Sequence, residues 1–264
     1  MTASRITLRT LALGYLALLL VLPVSMVFVR TFSNGLGAVW EAVTRPEALH
    51  ALWLTLLVAV IAVTANTVFG IVCALVLVRH EFRGKALLNA VLDLPLAVSP
   101  VVVGLALLII YGRTSLVGGW LAEAGIRIVF STPGIILATI FVSLPFVVRE
   151  VVPVLREIGT EQEQAASTLG ASAFQTFRLV TLPAIRSGVA YGIVLTTARA
   201  IGEFGAVSLV SGKLAGRTET LTIYVEDRFQ SFDLVGCYTA AVVLAVIAVA
   251  TLLLTNLTSP KEEY

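Results

Sequence analysis

Long apolar stretches without charged residues alternate with short charged segments along the whole chain. A helix that crosses a bilayer needs about 17–25 mostly apolar residues, and six stretches meet that requirement. They cover residues 10–29, 51–78, 94–112, 128–148, 187–212 and 234–260. The fifth stretch contains Arg199 and Glu203 but is long enough to span the membrane despite them. The pattern therefore predicts an all-α, polytopic membrane bundle of about six transmembrane helices.

The composition supports a membrane protein and excludes several other classes. Of the 264 residues, 58% are hydrophobic and only 13% are charged, whereas about 25% of the residues of a soluble domain are charged. This disfavours a cytosolic enzyme, a disordered linker and a secreted disulfide scaffold, and the net charge of +2 does not indicate nucleic acid as a partner. Cys73 and Cys237 lie in apolar stretches and are interpreted as core residues. We expect no metal or cofactor on this chain.

The basic residues predict an orientation and a division of the chain. With the N-terminus in the cytoplasm, ten Lys and Arg residues fall in inside segments and seven in outside segments, which agrees with the positive-inside rule. Both termini are therefore predicted to be cytoplasmic. Residues 1–9 form the N-terminal segment, residues 10–257 the transmembrane domain, and residues 258–264 the C-terminal segment. The first span is longer than the apolar part of a signal peptide and is interpreted as a retained anchor.

The connection over about residues 154–186, between the fourth and fifth spans, is predicted to be folded. Thr160 and Glu163 have the spacing of a capping box, which predicts a short helix that starts directly after Thr160. Gly170 can adopt the left-handed conformation that ends a helix. A second helical stretch follows and ends before Pro183.

Apolar residues of these two short helices are spaced to form one stripe, which has two possible roles. The stripe could rest on the bundle or on the membrane interface, as many amphipathic loop helices do. Alternatively, it could dock into a groove of a soluble partner. Spacing alone favours the first role, because an apolar stripe near a bilayer needs no partner. The stripe consists of Ala166, Leu169, Ala173, Phe174 and Phe177.

The residue pattern of the same connection favours the docking role. The sequence QAASTLG starts at Gln164, and VTLP starts at Val180. This resembles the cytoplasmic EAA loop of the permease subunits of binding-protein-dependent ABC importers, which reads E-A-A, three residues, G, nine residues, I-x-L-P. Gln164 stands where the family has its leading Glu. The resemblance implies that this loop couples the chain to an ATPase, through Glu161, Glu163, Gln164, Ala165, Ala166, Leu169 and Gly170.

Three further strings are similar to the permeases of sulfate, thiosulfate and molybdate importers. They are LDLPLAVSPVVVG from Leu92, PFVVREVVP from Pro145 and ARAIGEFGAVSLVSG from Ala198. The resemblance is strongest to the W-type permeases of sulfate/thiosulfate importers, and the family core covers about residues 52–257. It implies a permease that accepts the anion from an extracytoplasmic binding protein and passes it into the cytoplasm. Molybdate or tungstate is the alternative substrate.

The resemblance also implies the partners and the location. They are two copies of a cytoplasmic ABC ATPase, a second permease subunit (T-type, or a second copy of this chain) and a sulfate-binding protein, with this chain in the inner membrane. The chain lacks the phosphate-binding sequence G-x-x-x-x-G-K-[ST]. We therefore expect the partner to use ATP and Mg²⁺, and this chain not to be an enzyme. A rival interpretation is an ATP-independent secondary anion transporter, but the halves show no convincing inverted repeat that would support it.

Two charged residues inside the fifth span need an explanation, since each costs about 2.5–3.5 kcal/mol on insertion scales. Arg199 and Glu203 are four residues apart and share a helix face. They are interpreted as a structural ion pair. The alternative places Arg199 on the translocation path, where its charge would attract the anion.

Small and polar residues of the third and fifth spans are candidates for lining the passage. Ser99, Gly202 and Gly205 offer hydroxyl and backbone groups that suit an anion, although the same residue types also allow close helix packing. Asp93 is predicted to cap the start of the third helix, next to Pro95.

Overall fold

The computed structural model describes residues 2–258, and within them the side chains of residues 8–251 and of Leu253. The predicted all-α class is confirmed for this part of the chain, which contains helices and no strand. Two π-helical turns, π1 (Ala17–Val21) and π2 (Phe177–Thr181), interrupt the α-helices. The helices are α1 Thr2–Leu16, α2 Leu22–Phe32, α3 Gly35–Thr44, α4 Pro46–Arg79, α5 Lys85–Ala97, α6 Pro100–Tyr111, α7 Leu116–Glu123, α8 Thr132–Ser143, α9 Pro145–Glu157, α10 Glu161–Thr168, α11 Ala173–Thr176, α12 Leu182–Ala184, α13 Arg186–Ile201, α14 Gly205–Val210, α15 Leu221–Gln230 and α16 Leu234–Thr258.

The number of membrane spans in residues 2–258 agrees with the prediction of about six. Four helical stretches are long and apolar enough to cross a membrane: Leu8–Phe32, Pro46–Arg79, Thr132–Glu157 and Leu234–Thr251. Two pairs of helices are bent at a short break: α5 with α6 by 110°, and Ala173–Ala184 with α13 by 70°. Counting each bent pair as one span gives six. The second pair begins with Ala173–Ala184, in the connection predicted to be cytoplasmic, so only its α13 part overlaps the predicted fifth span. Of the predicted cytoplasmic C-terminal segment, residues 258–264, only Thr258 is among the described residues, as the last residue of α16.

The third span is not the continuous helix that the sequence predicted. The helical path breaks at Val98 and Ser99, which have extended ψ angles of 136° and 134°. Pro100 explains the break, because proline forces the residue before it out of the helical region. The apolar run over residues 94–112 therefore contains the end of α5 and all of α6.

The fifth span is also divided, which corrects the predicted single helix over residues 187–212. Helix α13 ends at Ile201, and the short α14 starts at Gly205. The Glu203 Oε1 atom accepts a hydrogen bond from the Ala206 N–H at 2.8 Å, and so satisfies an amide at the start of α14. A charged residue inside an apolar run thus marks the start of a new helix.

The centre of the bundle is a crossing of α4, α9 and α13 around the fully buried Val147. Glycines allow this approach. A Cβ atom at Gly70 would lie 2.7 Å from the Val147 Cβ, and one at Gly192 would lie 2.8 Å from the Val147 Cα. Buried side chains of α4 and α9 form one hydrophobic core cluster with Val147, and this cluster includes Cys73, Leu77, Val151 and Leu155.

Replacing Gly192 with Ala should lower the unfolding temperature of the purified chain by several degrees. The new methyl group would press on the Val147 backbone, and overpacking of a core costs about 1–3 kcal/mol. Thermal unfolding in detergent measures the effect. Gly14→Ala is the matched control, because no heavy atom lies within 4 Å of its Cβ position. Equal unfolding temperatures for the two variants would contradict the tight crossing.

At the opposite end of α4 from Arg79, the connection before α15 holds a buried carboxyl group. Glu219 is 2% exposed. Burial raises its pKa from 4.5 to about 7, with repulsion from Asp227 and Glu47 adding to the shift and Arg228 and His50 opposing it.

This raised pKa predicts a pH-dependent stability. The folded state binds the Glu219 proton more tightly than the unfolded state, so the free energy of unfolding should fall as the pH rises from about 4.5 to about 7. Glu219→Gln should remove that part of the dependence. Thermal unfolding between pH 5 and pH 8 measures both proteins, and a variant with an unchanged pH profile would refute the assignment.

Candidate functional site

The connection between α9 and α13 folds into a short helical segment, residues 161–181, which we call the docking segment. Helix α10 starts at Glu161 and ends before Gly170, whose φ of +87° is left-handed, as predicted. The predicted capping box at Thr160 is wrong: Thr160 makes no side-chain capping bond. Its expected partner Glu163 contacts another helix instead.

A capping box does exist in the docking segment, one helix later than predicted. The Ser172 N–H donates to the Gln175 side chain at 2.8 Å, and the Gln175 N–H donates to the Ser172 hydroxyl at 3.4 Å. The sequence contains the S-x-x-Q pattern of this box at Ser172. Thr160 and Glu163 have the same spacing, and the capping box was predicted there instead. The box fixes the start of α11, directly after the left-handed turn at Gly170.

The C-terminal end of α4 holds the base of the docking segment. The Arg79 guanidinium forms an ion pair with Glu163, with Nε 3.0 Å from Oε2, and donates to the carbonyl oxygens of Leu155 and Gly159 at 3.1 and 2.6 Å. Glu163 also accepts a hydrogen bond from the Thr181 hydroxyl at 2.8 Å. We call these residues the Arg79 clamp. Sequence spacing could not reveal it, since Arg79 and Glu163 are 84 residues apart.

Three large apolar side chains of the docking segment are exposed. Leu169 is 88% exposed, and Phe174 and Leu179 are each 70% exposed. Ala166 and Phe177 are half-buried, so the predicted stripe is split between the two environments. The bundle therefore does not cover Leu169 or Phe174. Of the other residues assigned to coupling, Glu161, Gln164, Ala165 and Gly170 are also exposed.

Arg199 and Glu203 form an ion pair inside the bundle. The Arg199 Nη2 atom lies 2.7 Å from the Glu203 Oε2 atom, and the Glu203 side chain is only 1% exposed against 31% for Arg199. The Glu203 backbone carbonyl accepts a hydrogen bond from the Thr222 hydroxyl at 2.9 Å. Glu203 thus joins α13, α14 and the start of α15 through three different contacts.

The two helix breaks lie side by side. A Cβ atom at Gly205 would be 3.0 Å from the Pro100 Cβ, and one at Gly104 would be 2.7 Å from the Ala206 carbonyl oxygen. The structure therefore brings the start of α6 to the start of α14. Of the predicted passage residues, Ser99 and Gly202 are exposed and Gly205 is half-buried, all at or next to these breaks.

Asp93 does not cap a helix, contrary to the prediction. It lies within α5 and forms an ion pair with Arg149 of α9, whose Nε donates to its Oδ1 at 2.7 Å. The prediction failed because α5 starts earlier than the apolar run, at Lys85. The pair links α5 to α9 on the same side of the bundle as the docking segment.

Comparison with known proteins agrees with this architecture. The family described as "Binding-protein-dependent transport system inner membrane component" matches residues 66–261. The chain is 51% identical over 244 residues to a protein named sulfate transport system permease protein CysW of Synechocystis sp., a match that covers 92% of this chain and 88% of that protein. It is 50% identical over 241 residues to the protein of the same name from Escherichia coli strain K12, covering 91% and 83%.

Solved structures show the same fold. A bacterial ABC transporter involved in the import of the acidic polysaccharide alginate has a TM-score of 0.79 at 18% sequence identity, and the match covers 100% of this chain and 98% of that one. The family match and the identities above 30% settle the classification. The chain belongs to the inner-membrane permease components of binding-protein-dependent transport systems.

Proposed function

We propose that the chain is the permease subunit of an ATP-driven ABC importer that moves sulfate, and also thiosulfate, into the cytoplasm. The observation that carries the coupling role is the docking segment, which is anchored by the Arg79 clamp and presents uncovered apolar side chains. The names of the CysW relatives support the choice of sulfate. Molybdate or tungstate is the alternative substrate within the same family.

The proposed assembly contains this chain, a second permease, two ATPase copies and an extracytoplasmic binding protein. The chain is also 40% identical over 250 residues to a protein named CysT of Escherichia coli strain K12, which supports a related but different chain as the second permease. A second copy of this chain is the alternative. A solved alginate ABC transporter with a TM-score of 0.76 to this chain was captured with a ligand-bound periplasmic protein, which supports delivery by a binding protein.

In this proposal, ATP and Mg²⁺ act in the ATPase, and this chain converts the ATPase motion into a change of helix positions. The ATPase would bind the exposed apolar side chains of Leu169 and Phe174 in a hydrophobic groove. The Arg79 clamp would carry the motion into α4, because it ties the docking segment to the last turn of that helix. From α4 the motion would reach α9 and α13 through their tight crossing at Val147.

The paired helix breaks are the proposed passage. The start of α6 carries the positive end of its helix dipole at Ser99, which favours an anion nearby. The charge of Arg199 is neutralised by Glu203, so Arg199 would not bind a dianion tightly. Weak binding suits transport, since the anion must also leave. No bond of the substrate is made or broken.

The experiment that tests this function is sulfate uptake by the whole importer in proteoliposomes. Uptake should require ATP inside the vesicles and the loaded binding protein outside, and unlabelled thiosulfate should compete with labelled sulfate. Stronger competition by molybdate than by sulfate would assign the alternative substrate. Sulfate uptake by this chain alone, without ATP, would overturn the proposal in favour of a secondary transporter.

The Arg79 clamp gives a prediction of its own. Glu163→Ala should leave the guanidinium without its carboxylate, and should lower ATP-driven uptake several-fold while the ATPase still binds. Glu163→Gln, which keeps an oxygen that accepts from Thr181, should have a smaller effect. Uptake and ATPase activity of the two variants are measured side by side. Wild-type uptake by Glu163→Ala would show that the clamp does not act through these contacts.

A further inference from the structure

A basic cavity lies away from both helix breaks, on the docking-segment side of the bundle. It has a volume of about 520 Å³ and opens between the C-terminal ends of α4 and α9 and the N-terminal end of α5. None of the described residues that line it carries a carboxylate. The polar lining consists of Lys85, Asn89, Arg149 and Arg156, and Leu77 and Val152 contribute apolar walls.

The charges around this cavity do not balance. Arg149 is paired with Asp93. Lys85 contacts Glu81 at 2.6 Å, but Glu81 is 88% exposed, and such a surface pair is weak and screened by water. Arg156 is exposed and has no ion pair among the described residues. The cavity therefore keeps an excess of positive charge.

The polar groups are of the types that bind tetrahedral oxyanions. The Arg156 guanidinium can donate a pair of hydrogen bonds to phosphate or sulfate oxygens, whereas Arg149 already donates to both carboxylate oxygens of Asp93. The Lys85 ammonium and the Asn89 amide can add single donors.

Helix α5 starts at the cavity, and its N-cap Gly84 has no side chain that could cap the helix. The Lys85 N–H donates to the Phe82 carbonyl oxygen at 3.3 Å instead. The positive end of the α5 helix dipole adds to the positive field.

Exposed apolar side chains of α5 lie on a different face of the helix from the cavity-lining Lys85 and Asn89. Leu87 is 69% exposed, Val91 52% and Leu94 44%. A phospholipid could place its phosphate among the basic residues, beside the apolar Leu77 and Val152. Basic pockets between transmembrane helices near the cytoplasmic surface are typical sites for acidic lipid headgroups.

We propose that this cavity binds a tetrahedral oxyanion. The anion is either the phosphate of an acidic phospholipid or free sulfate from the cytoplasm. The occupied site would neutralise the cluster and join α5 to α9 next to the docking segment. This inference does not depend on which substrate the importer moves, because the cavity is separate from the proposed passage.

The test uses the double variant Lys85→Gln/Arg156→Gln in the assembled importer. Arg149 is left in place because its pair with Asp93 links two helices. One arm titrates delipidated importer with dioleoylphosphatidylglycerol, and with dioleoylphosphatidylcholine for comparison, by native mass spectrometry. The other arm measures equilibrium binding of labelled sulfate without ATP or binding protein. Arg83→Gln is the control, since Arg83 is exposed on the same connection but does not line the cavity.

The double variant should bind the anion about tenfold more weakly in one of the two arms, and the control should be unchanged. A loss confined to phosphatidylglycerol would identify the lipid as the source. A loss confined to sulfate would identify the free anion. Wild-type affinity of the double variant in both arms would overturn the proposal. If the double variant does not assemble, the single variant Arg156→Gln is compared in the same way.

Discussion

Replacing Leu169 with Asp should reduce ATP-driven sulfate uptake by more than tenfold without disturbing the fold. Leu169 is 88% exposed at the end of α10, so the chain itself does not need this side chain for packing. An apolar contact with an ATPase would need it. Losing a buried leucine costs about 1.5–3 kcal/mol, a buried unpaired carboxylate costs more, and each 1.4 kcal/mol is a factor of about ten in affinity.

Two measurements separate docking from folding in the Leu169→Asp variant. Co-purification of the ATPase reports docking, and the thermal unfolding temperature of the isolated chain reports folding. Leu116→Asp is the matched control, because Leu116 is 95% exposed at the start of α7, outside the docking segment. Normal ATPase binding and uptake by Leu169→Asp would remove the main support for the docking role.

Replacing Glu203 with Ala should have the second large effect, a strong loss of folded protein in the membrane. The variant would leave Arg199 without its carboxylate, and it would also remove the acceptor for the Ala206 N–H. Removing one partner of a buried ion pair costs about 3–5 kcal/mol, and the partial exposure of Arg199 places the cost near the lower value. Yield after membrane extraction and thermal unfolding measure the loss.

A double variant decides between the two interpretations of Arg199. Arg199→Leu/Glu203→Gln removes both charges and keeps an oxygen that can accept from Ala206. If the pair is structural, as we expect, the double variant should recover most of the stability that Glu203→Ala loses, and should transport sulfate with a similar KM. A double variant that is stable but inactive would place Arg199 on the translocation path.

The sequence predicted those features of the fold that depend on local patterns. Apolar runs showed the spans, and Gly170 showed the end of α10, because both signals lie within a few neighbouring residues. The breaks of the third and fifth spans were missed although Pro100 and Glu203 mark them. A search for apolar length alone treats such residues as tolerated exceptions, whereas the backbone responds to them by starting a new helix.

Contacts between distant residues could not be predicted in the same way. Glu163 was assigned to a capping box because Thr160 is three residues away, but in the folded chain Arg79 competes for the same carboxylate. Asp93 was assigned to a helix start, but Arg149 reaches it from another helix. In both cases a charged partner far along the sequence replaces a local hydrogen bond, and only the packing of the helices reveals which partner is near.

The central claim, that residues 161–181 dock the ATPase, is tested most directly by photo-crosslinking in the assembled importer. A benzophenone amino acid is placed at position 169 and, for comparison, at position 116. The account predicts a light-dependent adduct with the ATPase from position 169 and none from position 116. Adducts from position 169 that contain only lipid or a permease chain would contradict it.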